Sequence, residues 1–190
     1  MKLSVLIPTV GDREDMLAQT EAGFRATVPG CEILIVYGYT WGEGLNQLVG
    51  VAQGDYWYTS CDDTVPLPGW FEKARSFTDD HLTPCPRYLN PDGSPLKPGW
   101  DDMPHGEPVD WARAYLLTPA IYNEVGPFID ATWYCDIDYS ERLVRAGYPI
   151  LACDGFAFTH LGGERSWRTN EVDVREEAAY RESHRRQGIV

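Results

Sequence analysis

The sequence predicts an α/β fold: a mostly parallel, twisted, Rossmann-like sheet with helices on both faces, followed by a charged C-terminal helix. Three observations predict it. Short apolar runs alternate with amphipathic stretches over residues 3–77, and that rhythm builds parallel strands joined by helical crossovers. The 190-residue length allows one substantial core and leaves little for a second. A hydrophobic content of 43% with 13% aromatic residues is that of a globular chain and excludes disorder.

Taken in order, "KLSVLIP" is a continuous apolar run closed by Pro8, the pattern of a strand buried on both faces. "DREDMLAQTEAGFRA" spaces Met16, Leu17, Thr20 and Phe24 along one helical face. "CEILIVYGY" is a second buried strand and "EGLNQLVGVAQ" a second amphipathic helix. "DYWYTSC" supplies a third strand, and "PGWFEKARSF" a third helix with Pro68 near its start. The rhythm then breaks: residues 84–108 hold seven of the fourteen prolines, and "NPDG" marks a turn. A structureless stretch of this length in a compact domain is functional or mobile. Beyond it "VDWARAYLL" reads as a strand, "TPAIYNEVG" as a short helix, "DYSERLVRAG" as another helix and "YPILACDGFAFTH" as further strand. The predicted organisation is one domain over residues 1–166 and a charged helical tail over residues 167–190. With few apolar anchors, that tail docks on the domain, pairs with a second copy of the chain, or frays.

The net charge of −13 repels nucleic-acid backbones and anionic lipid, so strong nucleic-acid binding is not expected. Five widely spaced cysteines without a C-x-x-C pair indicate reduced thiols in a cytoplasmic protein. No apolar run is long enough for a transmembrane segment.

Open parallel sheets bind ligands outside the carboxyl ends of their strands. Thr9, Tyr37 and the pair Asp62–Asp63 fall at three such ends. Adjacent carboxylates there suit a hard divalent cation, Mn²⁺ or Mg²⁺, although aspartate is equally at home in a turn or a helix cap. Asp138-x-x-Glu141 has capping-box spacing and is expected to start a helix running to Gly147. Asp136 then lies just outside that helix among apolar neighbours, where desolvation tends to raise a carboxyl pKa toward that of a general base, although the residues alone read first as a plain loop aspartate. His160 closes an apolar strand, where a histidine is more often a packed core residue than a ligand, but two glycines and Arg165 follow within five residues, so the backbone there can approach a ligand closely. Imidazole is an acceptable Mn²⁺ ligand.

Together, "SVLIPTVGDR", "LNQLVGVAQGDYWYTSCDD", "ARAYLLTPAIYNEVGPFID", "CDIDYSERLVRAGY" and "HLGGERS" resemble, in order and spacing, family 2 glycosyltransferases of the GT-A fold, over about residues 3–166. The resemblance implies a metal-dependent, inverting transfer of a sugar from a nucleotide-sugar, with UDP the leading base, to a hydroxyl acceptor. It places Asp63 and His160 on the metal, and Asp62 on the donor. Pro8, Thr9, Arg13 and Tyr37 fall on the nucleotide-contacting turns, and Asp136 on the base. Arg165 becomes a countercharge for the departing diphosphate, and Trp133 part of the acceptor site. Asn46 sits where the family has a structural asparagine. The chain departs from the pattern at three positions. Cys61 stands at the first place of the D-x-D motif, Tyr37 where an aspartate usually meets uracil, and Cys135 where a glutamate often precedes the base. Two other classes compete. A sugar nucleotidyltransferase would carry a glycine-rich, lysine-bearing loop after the first strand, which "PTVGDREDML" lacks. A non-catalytic nucleotide-sugar-binding module would tolerate the missing acids.

Overall fold

The computed structural model describes residues 1–162 and 170–186. In chain order its elements are β1 (Leu3–Thr9), α1 (Glu14–Thr27), β2 (Glu32–Tyr37), α2 (Trp41–Val49), β3 (Tyr56–Thr59), β4 (Thr64–Pro66) and α3 (Trp70–Asp79). There follow β5 (Thr83–Leu89), β6 (Leu116–Leu117), α4 (Pro119–Val125), α5 (Cys135–Arg145), β7 (Ile150–His160) and α6 (Asn170–Arg186). The strands form two mixed sheets, ordered β2-β1-β3-β6 and β4-β7-β5. β1 is parallel to both β2 and β3, as the crossover rhythm requires, whereas β6 closes the first sheet antiparallel to β3.

Position in the sheet explains each strand's composition. β1 is central, and every one of its seven residues is buried, hence its unbroken apolar run. β2, expected to be buried, is an edge strand whose residues are mostly half-exposed. α2 lies close against β1: a Cβ on Gly44 would stand 2.7 Å from the Pro8 side chain. The two faces of the first sheet bury separate cores. One centres on Tyr58, Trp70, Phe24, Phe156 and Phe158, with Tyr58 stacked on Phe158 at 5.1 Å. The other gathers Leu6, Leu45, Tyr115, Phe128 and Tyr139 under α2, α4 and α5. Asn46 is the structural residue expected, its amide bonding the main chain of Phe128 and the Tyr122 hydroxyl.

Three expectations are corrected. The proline-rich stretch is not a loop throughout, because its first residues form β5. That is permitted because β5 is an edge strand, where Pro84 and Pro86 need not donate to a ladder on both sides. The remainder is pinned by buried Asp101, which accepts from the Tyr88 and Lys97 amides and pairs with Arg113 at 3.4 Å. The "VDWARAYLL" strand shrinks to Leu116–Leu117. Its earlier amides are taken by side chains, Ala112 by the Ser140 hydroxyl and Tyr115 by the Thr59 hydroxyl, so no ladder extends there. Finally, α5 begins at Cys135, with Tyr134 as its N-cap. The capping box does not form: Asp138 is inside the first turn, fully buried and paired with Arg142 at 2.6 Å. Asp136 therefore belongs to the helix rather than standing outside it.

The charged tail forms α6, which docks on α5 chiefly through polar and aromatic contacts. Tyr180 stacks on Tyr134 at 5.4 Å, the Tyr180 hydroxyl bonds Glu141 at 3.1 Å, and the Ser183 hydroxyl donates to Asp138. Among the described residues, no helix is long and apolar enough to cross a membrane.

Candidate active site

The ends of β1 and β2 are in register, Pro8 opposite Val36 and Thr9 opposite Tyr37. Pro8 and Thr9 are buried, whereas the Tyr37 ring is 55% exposed beside Gly11, available to a flat ligand. β3 ends next to β1, so the Thr9 hydroxyl reaches across and donates to Asp62 Oδ2 at 2.5 Å. Asp62 and Asp63 are each only 6% exposed.

The side-by-side aspartates are held apart in function by different partners. Asp62 is fixed by Thr9, while Asp63 is ion-paired with Arg13, the residue that opens α1. His160 arrives from the far end of the chain because β4 pairs with β7, Thr64 facing His160. Its Nε2 stands 3.6 Å from Asp63 Oδ2, and the Leu161 amide donates to the Asp63 carbonyl at 2.8 Å. A Cβ on Gly162 would fall 2.5 Å from Arg13 Nη1 and 2.8 Å from Asp63 Oδ2, so only glycine lets the chain pass the ion pair undisturbed.

Whether these residues suit a divalent cation follows from the donor set. One carboxylate and one imidazole, 3.6 Å apart, match Mn²⁺ chemistry, and the His160 Nδ1 is buried without a hydrogen-bond partner among the described residues. No group of three or more histidine, cysteine or acidic side chains suited to a metal occurs among the described residues. The donor set therefore offers at most two side chains to a cation, Asp63 and His160, with Arg13 sharing the carboxylate.

On the other side of the sheet end, Asp136 sits in the first turn of α5. Part of the residue touches the surface, but its carboxyl end is enclosed, and that burial pushes its pKa from 3.8 up to about 7. The Ile137 amide, donating at 2.9 Å, and the charge of Arg113 act against the rise, while the charge of Glu176 adds to it. Tyr115 ties this region to the rest of the site. Its amide bonds Thr59, at the end of β3, and its hydroxyl donates to the Asp136 carbonyl at 2.5 Å. Trp133, three residues earlier, is half-buried, and its main-chain amide is held by Glu176.

A small cavity of about 140 Å³ opens between β5 and the pinned proline-rich loop, lined by Cys85, Trp100, Asp101, Trp111 and Arg113. Trp100 and Trp111 meet edge to face at 4.8 Å, and the Arg113 guanidinium lies 5.2 Å from the Tyr88 ring.

The structure thus joins Pro8, Thr9, Arg13, Tyr37, Asp62, Asp63 and His160 around the ends of β1 to β3 and β7. Asp136 and Trp133 stand on the α5 side. Arg165 lies outside the described residues. Three members were missed in the sequence: Arg113 and Tyr115, in a stretch that reads as ordinary strand, and Glu176, one acid among many in a charged tail.

The ends of two mixed sheets thus gather paired aspartates and a histidine in an α/β fold of the Rossmann-like kind. The crystal structure of S. aureus TarS, a GT-A-like glycosyltransferase, is similar, with a TM-score of 0.65 and 11% identity over 85% of this chain. The match spans 37% of the TarS chain, so it speaks for the fold of this portion alone. No protein-family model matches the chain, and no curated relative is found by sequence.

Proposed function

We propose that the protein is an inverting glycosyltransferase that moves a sugar from a nucleotide-sugar, UDP-linked in the first instance, to a hydroxyl acceptor. The observation that carries the proposal is Asp136: a carboxyl group raised to about 7, close to neutrality, in the first turn of α5 and tied through Tyr115 to the end of β3. A base needs an affinity for protons near the working pH, and few carboxylates have it.

In this reading Tyr37, exposed at the end of β2, stacks on the nucleoside, and Asp62, oriented by the Thr9 hydroxyl, accepts from donor hydroxyls. Arg13 brings a positive charge to the diphosphate. Asp136 takes the acceptor's proton as its oxygen attacks the anomeric carbon. The new carbon–oxygen bond forms on one face while the bond to the diphosphate breaks on the other, its electron pair leaving with the diphosphate. Mn²⁺ or Mg²⁺, held by Asp63 and His160, would supply Lewis-acid neutralisation of that leaving group. Arg165 is assigned a second countercharge, and Trp133 the acceptor side. The five cysteines are free thiols, which fits work in the cytoplasm.

The test is a panel of nucleotide-sugars with and without Mn²⁺, followed by thermal shift and by release of nucleoside diphosphate. Saturation at 100 times Kd adds about 2.7 kcal/mol. Release of diphosphate from one donor supports the proposal. Binding with no release, whatever alcohol is supplied, favours the binding-module reading instead. The observation behind that second reading is the Arg13–Asp63 pair, which already neutralises a candidate metal ligand.

A further inference from the structure

We infer that the cavity between β5 and the proline-rich loop is a saccharide-binding site, built to hold one uncharged pyranose ring against Trp100 and Trp111. That the ring belongs to the hydroxyl acceptor rests on the glycosyl transfer proposed above; the binding itself does not.

Trp100 is 47% exposed, the one tryptophan left open to water among the described residues. Its loop is fixed without help from the indole. The Asp101 carboxylate accepts from the Lys97 and Tyr88 amides, the Asp102 carboxylate accepts from the Gly99 amide at 2.6 Å, and the Trp100 amide bonds the Lys97 carbonyl at 3.1 Å. A pinned main chain thus presents a large apolar face, and an anchor already held in place lowers the ordering cost of binding. Trp111 meets that ring at 73°, so the two indoles form a corner rather than parallel plates. Parallel plates would clamp a flat heteroaromatic ring. A corner suits a puckered one, which turns C–H groups toward aromatic walls and keeps its hydroxyls at the rim.

Polar groups stand at the same walls. Arg113 is held by Asp101 through Nη1 at 3.4 Å, whereas its Nη2 is buried with no hydrogen-bond partner among the described residues. An unmet guanidinium N–H is costly, and a ligand hydroxyl oxygen accepts from it. Asp101 already neutralises Arg113, and exposed Asp110 adds a negative charge to the wall, so no surplus cation awaits a phosphate or carboxylate. An alkyl chain would cover the indoles but leave Nη2 unmet. The volume of about 140 Å³ is below the about 300–1,000 Å³ of pockets that enclose drug-sized ligands, and so admits a single ring.

Position joins the cavity to the candidate base. Ala112, between wall residues Trp111 and Arg113, donates its amide to the Ser140 hydroxyl at 3.0 Å. Ser140 lies one turn of α5 beyond Asp136, and the Tyr115 hydroxyl contacts both. The wall is therefore seated on the helix that carries Asp136.

The test is titration with methyl glucoside, methyl mannoside and methyl N-acetylglucosaminide, followed by ¹H–¹⁵N NMR of the indole N–H groups. The Trp100 and Trp111 signals are assigned by their loss in Trp100→Phe and Trp111→Phe. At least one glycoside should shift both signals with a Kd of about 1 mM, the strength expected of about a dozen atoms. Trp100→Ala should weaken binding by about tenfold or more, and Trp100→Tyr, which keeps an aromatic face, should recover most of it. Adenosine, hexanol and inorganic phosphate represent the competing chemistries. Shifts from any of these with none from a glycoside would overturn the inference, as would glycoside binding that Trp100→Ala leaves unchanged. UDP release from a panel of UDP-sugars, with the bound glycoside present, separates the two readings. Indole shifts without release from any donor would end glycosyl transfer as the function and leave the saccharide site standing. Release to acceptors that never shift the indoles would leave the transfer standing and remove the site.

Discussion

Replacing Asp136 by asparagine should make the protein more stable above neutral pH while removing its turnover. Burial lifts the Asp136 carboxyl from 3.8 to about 7, so between those values the folded chain holds a proton that the unfolded chain has released. Stability from this group is therefore lost as pH rises through that window, the reverse of an ordinary salt-bridged aspartate, and the full penalty applies above about pH 7. Three units at 1.36 kcal/mol each set a ceiling of about 4 kcal/mol. Because part of the residue reaches the surface and the folded chain can relax around the charge, about 1–3 kcal/mol is the expected gain for Asp136→Asn, with the melting temperature rising by about 2–4 °C per kcal/mol. Urea denaturation of both proteins at intervals from about pH 4.5 to about pH 8.5 measures it. The difference should be small at the acid end, grow through pH 5–7 and level off, while diphosphate release falls by about 10²–10⁴. A difference that stays constant with pH would refute the enclosed-carboxyl argument, and turnover near that of the native chain would remove Asp136 as base.

Three further outcomes follow from the geometry. Gly162→Ala should weaken donor binding with little loss of fold, because the added Cβ falls within 2.5 Å of Arg13 Nη1 and forces the Asp63 pair apart; calorimetry with UDP reports it. Tyr115→Phe leaves the buried Ser140 hydroxyl and the Asp136 carbonyl without their shared partner, and should lower unfolding free energy by about 1–3 kcal/mol in urea titrations. Removing divalent cations with EDTA should depress diphosphate release in the native chain, and adding back Mn²⁺ should restore it there but not in His160→Ala.

The sheet and most helices were legible because their signals are local: the unbroken apolar run of β1, the spacing of Leu17, Thr20 and Phe24, the alternation itself. The errors arose where non-local contacts decide. β2 carries the composition of a buried strand, yet strand order puts it at an edge. Asp138 has capping-box spacing, but Arg142 and Ser183 claim its carboxylate, so α5 starts three residues earlier. The sequence puts Thr9, Asp62 and Asp63 at strand ends and His160 at the close of an apolar strand, and the structure adds which of them touch. Arg13 entered only through the family resemblance, and nothing in the sequence says it pairs with Asp63. Glu176 was invisible, since burial of one acid in a charged helix depends on a docking surface, the start of α5, that lies about forty residues away.

The meeting of Asp63 and His160 depends on main-chain pairing, Thr64 against His160 and the Leu161 amide on the Asp63 carbonyl, rather than on the two side chains themselves. The frame and its chemistry are therefore separable. Exchanging either side chain changes the chemistry at the spot without removing the main-chain pairing that places it, so the position is a fixed address for different side chains. The same independence makes sense of Cys61 two residues before Asp63: a backbone-held corner keeps its shape whichever side chain stands at that position.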